Sequence, residues 1–181
     1  MEYSAEYLIE RSRKLAYYLR HDKDYEYEQG SAYRSVSDLI ENHGYTLDLL
    51  GTLVVTDSKG RYMFSGDRTK IRATYGHSKW IKVEYAEALP PDLLYHGTVS
   101  GFLPKIQETG IKPMSRTHVH MSTDIVVAKD MGMRHKKHGD VRIIVIDSRQ
   151  MSADGVKFYM SGGDLWLTDC VAPKYFVDIV Q

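Results

Sequence analysis

The sequence predicts an α+β protein of two lobes, a winged-helix-like one over residues 1–88 and a second, built on split β-sheets, over residues 92–181. Three observations carry that prediction. The first lobe reads as helices followed by a β-hairpin. Pro90 and Pro91 then stand adjacent in EALPPD, and paired prolines favour an extended linker. Beyond them, many short apolar runs are separated by two helical stretches, the pattern of sheet and helix packed as separate layers.

The elements follow in order. Residues 4 to 20 place Tyr7, Leu8, Leu15, Tyr18 and Leu19 at helical spacing behind Ser4, a favourable N-cap. SVSDLIENHG offers Ser35 or Ser37 as a cap, Leu39 and Ile40 for burial and Gly44 as a stop. TLDLLGTLVVTD reads as a short helix turning into a strand, and VVTDSKGRYMFS as a hairpin about the turn DSKG, with alternation through Tyr62 and Phe64. This lobe ends near Tyr85. In the second lobe LLYHGT is a strand and GFLPKIQETG a helix stopped by Gly110. THVHMS is a strand, DIVVAKDMG a helix closed by Gly132, and VRIIVID a fully buried strand. KFYMS, DLWLT and YFVDIV complete the set.

Bulk properties narrow the function only a little. The 24 Lys and Arg balance the 24 Asp and Glu, so net charge points to neither a nucleic acid nor a membrane, although a local basic groove is compatible with it. The single cysteine, Cys170, excludes an internal disulfide framework and suits a reducing compartment. MEYSAEYLIERSRK lacks the apolar core of a signal peptide, and no run approaches the ~18 apolar residues of a membrane helix. A cytoplasmic protein is expected.

The stretch SRTHVHMS, residues 115–122, poses the chemical question, because strand periodicity would put His118 and His120 on one face. They are metal ligands, catalytic groups or structural imidazoles. A metal site wants a third and fourth ligand, and no HExxH or paired cysteine supplies them, so no metal is expected. His135 and His138 in MRHKKHG read as part of a solvated charged turn. Arg20-His21 closes the first helix, where a basic residue complements the helix dipole. From Arg61 to Lys82 there are Arg61, Arg68, Lys70, Arg72, His77, Lys79 and Lys82 against one acid, Asp67, which is either a solvated face or the seat of an anion such as a phosphate backbone. In YHGT, Gly97 permits close backbone approach and His96 can bond a ribose hydroxyl. No GxGxxG or P-loop is present, so a nucleotide would be held by other means.

Taken in series, LAYYLRH, KGRYMFS, KIRATYGHS, LYHGT, MSRTHVHMS, GMRH and DLWLTD resemble the RNA 2′-phosphotransferases across nearly the whole chain. The resemblance implies an N-terminal winged-helix-like RNA lobe and a C-terminal ADP-ribosyltransferase-like lobe that binds NAD. It implies removal of an internal 2′-phosphate, such as that left at a tRNA splice junction. The 2′-phosphate would attack C1 of the nicotinamide ribose and expel nicotinamide. The ribose 2-hydroxyl would then attack the ADP-ribosylated phosphate, releasing RNA and ADP-ribose 1″,2″-cyclic phosphate. Arg20, His21, Arg61 and Arg116 fall on the family's phosphate and catalytic positions. His96, Gly97 and Thr98 fall on the HGT turn that holds NAD, and His118, Ser122 and Asp124 on the following strand and helix start. Gly132 and His135 of GMRH join the cofactor set, and Leu165 stands where many ADP-ribosyltransferases carry a catalytic glutamate. Which of His118, His120 and His135 is the second NAD histidine stays open. The expected partners are NAD and RNA bearing a 2′-phosphate, with no membrane and no obligate protein partner.

Two departures stand out: the acidic loop DKDYEYEQGSAYRSVSDL, and Tyr75 in RATYGHS where the family commonly has glutamine. They bear on RNA preference more than on the chemistry. The competing readings are an ADP-ribosyltransferase acting on protein or a terminal nucleic-acid phosphate, and a winged-helix DNA-binding regulator with a ligand-sensing lobe.

Overall fold

The structure is a computed structural model that describes residues 3–161 and 165–181. It is an α+β protein whose described strands form two separate antiparallel sheets, within two compact units, Met1–Glu84 and Tyr85–Gln181.

In the first unit, helix α1 spans Ala5–Arg20, capped by the Ser4 side chain, which accepts from the Tyr7 N–H. Strand β1, Arg34–Ser35, leads into α2, Val36–His43. Between the two serines the sequence offered as its cap, Ser35 accepts the Asp38 N–H, while Ser37 bonds to the Ser35 hydroxyl at 3.1 Å. Gly44 ends α2 in the left-handed region at φ 65°, which favours glycine.

The next segment departs from the sequence reading. LDLLGTLVV is one helix, α3, Leu47–Val55, with no strand at its end. Its seven consecutive apolar and small residues, 49–55, suit either structure by pattern. The Thr46 hydroxyl caps the Leu49 N–H at 3.1 Å, and burial of Leu49, Leu50 and Leu53 follows helical spacing while Val55 faces solvent. The hairpin therefore lies one strand later. Strand β2, Tyr62–Phe64, pairs with β3, Lys70–Ala73, across a turn that Arg68 closes at φ 58°. The sheet order is β1-β3-β2, and Leu15, Leu19, Leu39, Leu50 and Ile71 form a core with no exposed surface.

Arg34 is buried in this unit, its side chain 2% exposed. Its guanidinium donates to Asp22 at 2.6 Å, Asp38 at 2.5 Å and the Tyr18 carbonyl at 3.0 Å, and lies 4.0 Å from the Tyr25 ring centroid. Removing one side of a buried ion pair strands the other charge away from water. Arg34→Met should therefore cost about 3–5 kcal/mol in urea unfolding. Adding Asp22→Asn to that variant should restore part of the loss.

The second unit has sheet order β7-β8-β5-β4-β6-β9. Strand β4, Leu93–Val99, pairs along its whole length with β6, Val141–Asp147. On its other side it meets β5, Val119–Ser122, through the pair Tyr95–Ser122. Strands β7, Tyr159–Met160, and β8, Leu165–Thr168, extend from β5, and β9, Phe176–Val180, closes the far edge. These six described strands fall in one sheet order, and β5 meets β4 through a single residue pair, so that β7-β8-β5 and β4-β6-β9 join at a narrow seam. Helices α4, Leu103–Thr109, α5, Ile125–Met133, and α6, Ser148–Ala153, complete the unit. Leu94, Met121, Ile144, Ile146 and Met151 are fully buried at its core.

Several expectations change here. His118 precedes β5 rather than lying on it. VRIIVID is half-buried, with Ile143, Ile144 and Ile146 inside and Val141, Arg142, Val145 and Asp147 partly exposed. The helix α6 was missed; its signal is Asp147, whose carboxylate accepts the Gln150 N–H at 2.8 Å. Asp164 of DLWLT lies outside the described residues.

Candidate active site

The first unit draws three of the predicted residues together. Arg20 ends α1, and His21 caps it by donating its N–H to the Tyr17 carbonyl at 2.8 Å. The segment YGHS, residues 75–78, comes back against this helix end. The Ser78 N–H donates to the Arg20 carbonyl at 3.0 Å, and His21 Nδ1 lies 2.8 Å from Ser78 Oγ. The Arg20 guanidinium carbon stands 4.9 Å from the Tyr75 ring centroid. Gly76, at φ 81°, makes the turn possible where a side chain would strain the backbone.

Arg61 reaches the same neighbourhood from the hairpin. Its carbonyl accepts the Thr74 N–H at 3.0 Å, which brings Tyr75 alongside. Its Nε donates to Asp57 Oδ1 at 2.8 Å, and its backbone N–H donates to the other oxygen of that carboxylate. Burial pushes the Tyr62 phenol up, while the Ser12 hydrogen bond and the charges of Arg61 and then Arg20 pull against it. Both guanidinium groups therefore bear on Tyr62. Asp57 binds Arg61 through Nε, which leaves the two terminal nitrogens as a fork for an anion.

The rest of the basic stretch is not one cationic face. Lys70 pairs with Glu28 at 3.3 Å, Arg72 donates to the Ser31 carbonyl at 3.2 Å, and His77 is fully buried. Glu28 and the Ser31 carbonyl thus take up two of its cations from outside the window. Asp57 was missed because DSKG read as a hairpin turn. It does shape a turn, and the same carboxylate orients Arg61.

In the second unit, His96 Nδ1 lies 2.9 Å from the His120 carbonyl oxygen. A carbonyl only accepts, so Nδ1 carries the proton and Nε2 is left as an acceptor. Burial holds the His96 imidazole below its usual range; the His120 carbonyl pulls the other way, and the nearby His135 adds to the lowering. The ring is thus neutral at pH 7. His120 contributes its main chain to holding His96, and His135 lies close enough to feel it.

Gly97 and Gly132 face each other across the β4–α5 contact. A Cβ on Gly97 would fall 1.7 Å from the Ala128 carbonyl oxygen, and one on Gly132 would fall 2.9 Å from the Thr98 oxygen. Backbone packs on backbone here. Gly132 accordingly lies within α5, where the sequence reading made it the helix stop, because its lack of a side chain serves packing instead of termination. Thr98 beside it is buried.

The remaining predicted residues are more dispersed. Buried Ser122 accepts the Asp124 N–H at 3.0 Å, and Asp124 caps α5 by accepting the Val126 N–H at 2.7 Å, so both carry structural duties. Leu165 is the cross-strand neighbour of Ser122 and is buried. Arg116 sits half-buried in the turn before β5, its N–H donating to the Pro113 carbonyl at 2.9 Å. His118 lies edge-on between Tyr85 and Tyr159, with ring centroids 5.5 and 5.6 Å away. Burial lowers its pKa and Asp169 opposes that. Among the described residues no group of three or more His, Cys, Asp or Glu side chains gathers as a metal site, and no helix is long and apolar enough to cross a membrane.

Comparison with known proteins bears on the same residues. The chain matches the family described as RNA 2′-phosphotransferase, Tpt1 / KptA family, over residues 7–170, a range that takes in every predicted site position. It is 43% identical to the "Probable RNA 2′-phosphotransferase" of Flavobacterium johnsoniae, covering 80% of this chain and 81% of the relative. A protein of that name from Fusobacterium nucleatum is 42% identical over 78% of this chain and 79% of its own. One from Acaryochloris marina is 35% identical over 93% and 95%. A match so extended, at these identities and across both units, leaves one assignment: the chain belongs to the RNA 2′-phosphotransferase, Tpt1 / KptA family.

Proposed function

We propose that the protein is an NAD-dependent RNA 2′-phosphotransferase that removes an internal 2′-phosphate from RNA, releasing nicotinamide and ADP-ribose 1″,2″-cyclic phosphate. The observation that best supports this reading is the grouping of Arg20, His21 and Arg61 about Tyr75 and Ser78, with Asp57 aiming the Arg61 fork. The winged-helix-like reading of the first unit, three helices ahead of a hairpin, belongs to the proposal, as does the ADP-ribosyltransferase-like reading of the second.

NAD, when bound, supplies an electrophilic ribose carbon with nicotinamide as leaving group. The residues present fit it: the neutral His96 keeps Nε2 as an acceptor suited to a ribose hydroxyl, with Gly97 and Thr98 following on the same strand. His118, Ser122, Asp124, Gly132, His135 and Leu165 are assigned to the surroundings of that site. A phosphate nucleophile is already an anion, so little proton transfer is demanded and the chain mainly positions the reactants. The phosphoryl transfer that follows builds charge on oxygens, which Arg20, His21, Arg61 and Arg116 are assigned to bind. An apolar Leu165 suits this chemistry, because a carboxylate beside a phosphate dianion would add repulsion.

Arg61→Lys should lower kcat about 100-fold with an unchanged circular dichroism spectrum, because one point donor replaces a fork and the Asp57 contact at Nε is lost. Steady-state rates near wild type would remove bidentate binding from the account. The reading as a whole is tested by product analysis with NAD and a 2′-phosphorylated oligonucleotide. Equal yields of nicotinamide, cyclic phosphate and dephosphorylated RNA are expected. Stable ADP-ribosylated product without cyclic phosphate would instead mark an ADP-ribosyltransferase, and tight duplex DNA binding without nicotinamide release a regulator.

A further inference from the structure

The turn after α5 belongs to neither set of residues above except through His135. Residues 125–139 hold four cations, Lys129, Arg134, Lys136 and Lys137, against one carboxylate, Asp130, in a chain of zero net charge. All four cations are exposed. A charged turn is ordinarily a solvated one, but this turn is fastened. A Cβ on Gly101 would fall 2.2 Å from the His138 carbonyl oxygen, and one on Gly139 would fall 2.3 Å from Ser100 Oγ. The Ser100 N–H donates to the Asp140 carbonyl at 2.7 Å, and the Asp140 N–H returns a bond to Ser100 Oγ at 3.1 Å. The 134–139 segment is thus stapled to the 100–102 turn.

That staple brings three rings together. Phe102, 37% exposed, has His135 at 5.8 Å and His138 at 5.1 Å between ring centroids. Exposed rings beside exposed cations on a fastened backbone are the two parts a single-stranded nucleic acid requires: ammonium and guanidinium groups for successive phosphates, and a π-face on which a base stacks regardless of sequence. A small anion would need only the cations, and a duplex would hide its bases from Phe102.

We propose that Lys136, Lys137, Phe102 and His138 form a contact site for single-stranded RNA flanking the reactive 2′-phosphate. The site rests on the phosphotransferase reading for its substrate, and its test separates the two. Binding of a plain, unphosphorylated 12-nucleotide RNA is measured by fluorescence anisotropy without NAD, for wild type and Lys136→Glu/Lys137→Glu. The variant should bind about tenfold more weakly, and the slope of log K against log salt should fall by about 1.4 for two lost phosphate contacts. Kinetics then compare a 2′-phosphorylated trinucleotide with a 12-mer carrying the same central phosphate. The variant should turn over the trinucleotide within twofold of wild type and lose about tenfold in kcat/KM, through KM, on the 12-mer alone. Phe102→Ala should weaken 12-mer binding without changing the salt slope. Equal RNA binding by variant and wild type overturns the site, as does equal loss on both substrates, or tighter binding of a 12-base-pair DNA duplex than of the single strand. Absence of turnover on either substrate, with binding still lost in the variant, sinks the phosphotransferase reading and leaves this site standing.

Discussion

Gly97→Ala should markedly destabilise the second unit. The added methyl would lie 1.7 Å from the Ala128 carbonyl oxygen, 2.7 Å from its carbon and 2.8 Å from the Gly132 nitrogen. Side-chain overpacking in a core typically costs about 1–3 kcal/mol because rotamers can yield. Here the obstacles are backbone atoms of α5, fixed by helix hydrogen bonds, and β4 cannot retreat without breaking its seven-residue ladder with β6. A loss of at least about 3 kcal/mol is expected, which lowers the melting temperature by roughly 10 °C in a chain of this size. Differential scanning calorimetry measures it directly. Gly51→Ala is the control: it lies within α3, a Cβ there meets nothing within 4 Å, and it should stabilise by about 0.5–1 kcal/mol. If Gly97→Ala melts with the wild type, the close approach of α5 to β4 is wrong.

Arg116→Ala should lower turnover by about 1,000-fold or more, or let ADP-ribosylated RNA accumulate, while the protein still melts as the wild type does. The turn that carries Arg116 is set by main-chain features, the N–H to Pro113 bond and Met114 at φ 55°, so truncating a half-buried side chain there leaves the core intact. Loss of one donor to a developing oxyanion commonly costs about 100–1,000-fold. On the proposed reading Arg116 binds the transferring phosphoryl group, where charge builds most, so the upper end is expected. Single-turnover assays with labelled RNA resolve the two outcomes. Arg149→Ala, whose side chain is 78% exposed beside Asp92, should be silent. Near-normal turnover of Arg116→Ala would remove it from the reaction.

Local signals in the chain were read well where the deciding interaction is itself local. The caps at Ser4 and Ser35 accept N–H groups three residues on and Gly44 bonds back to Leu39, five residues away; Ser4 and Gly44 were legible, and Ser35 was one of two candidates. The apolar run at the end of α3 was misread because strand and helix differ there only in which residues face a core, and the core is made elsewhere. The missed α6 and the displaced His118 are errors of the same kind, each decided by a cap or a register one or two residues from where pattern alone would set it.

For the site, residue identities were available from motif and resemblance, but their partners were not. Arg61 depends on Asp57, whose carboxylate looked like turn chemistry. Arg20 and His21 meet Tyr75 and Ser78, more than fifty residues on, through strand pairing that no spacing rule encodes. The basic stretch showed the converse: Lys70 and Arg72, which looked like part of one cationic run, are taken up by Glu28 and the Ser31 carbonyl from another part of the chain.

The linear order of side chains thus settles the broad class of fold, the ends of α1 and α2 and which residue types are present to do chemistry, because these follow from backbone preference and from interactions a few residues long. Only the folded arrangement decides which guanidinium is aimed by which carboxylate, which tautomer His96 adopts and why Gly97 and Gly132 bear no side chain. Those depend on groups that are distant in sequence and a few ångströms apart in space.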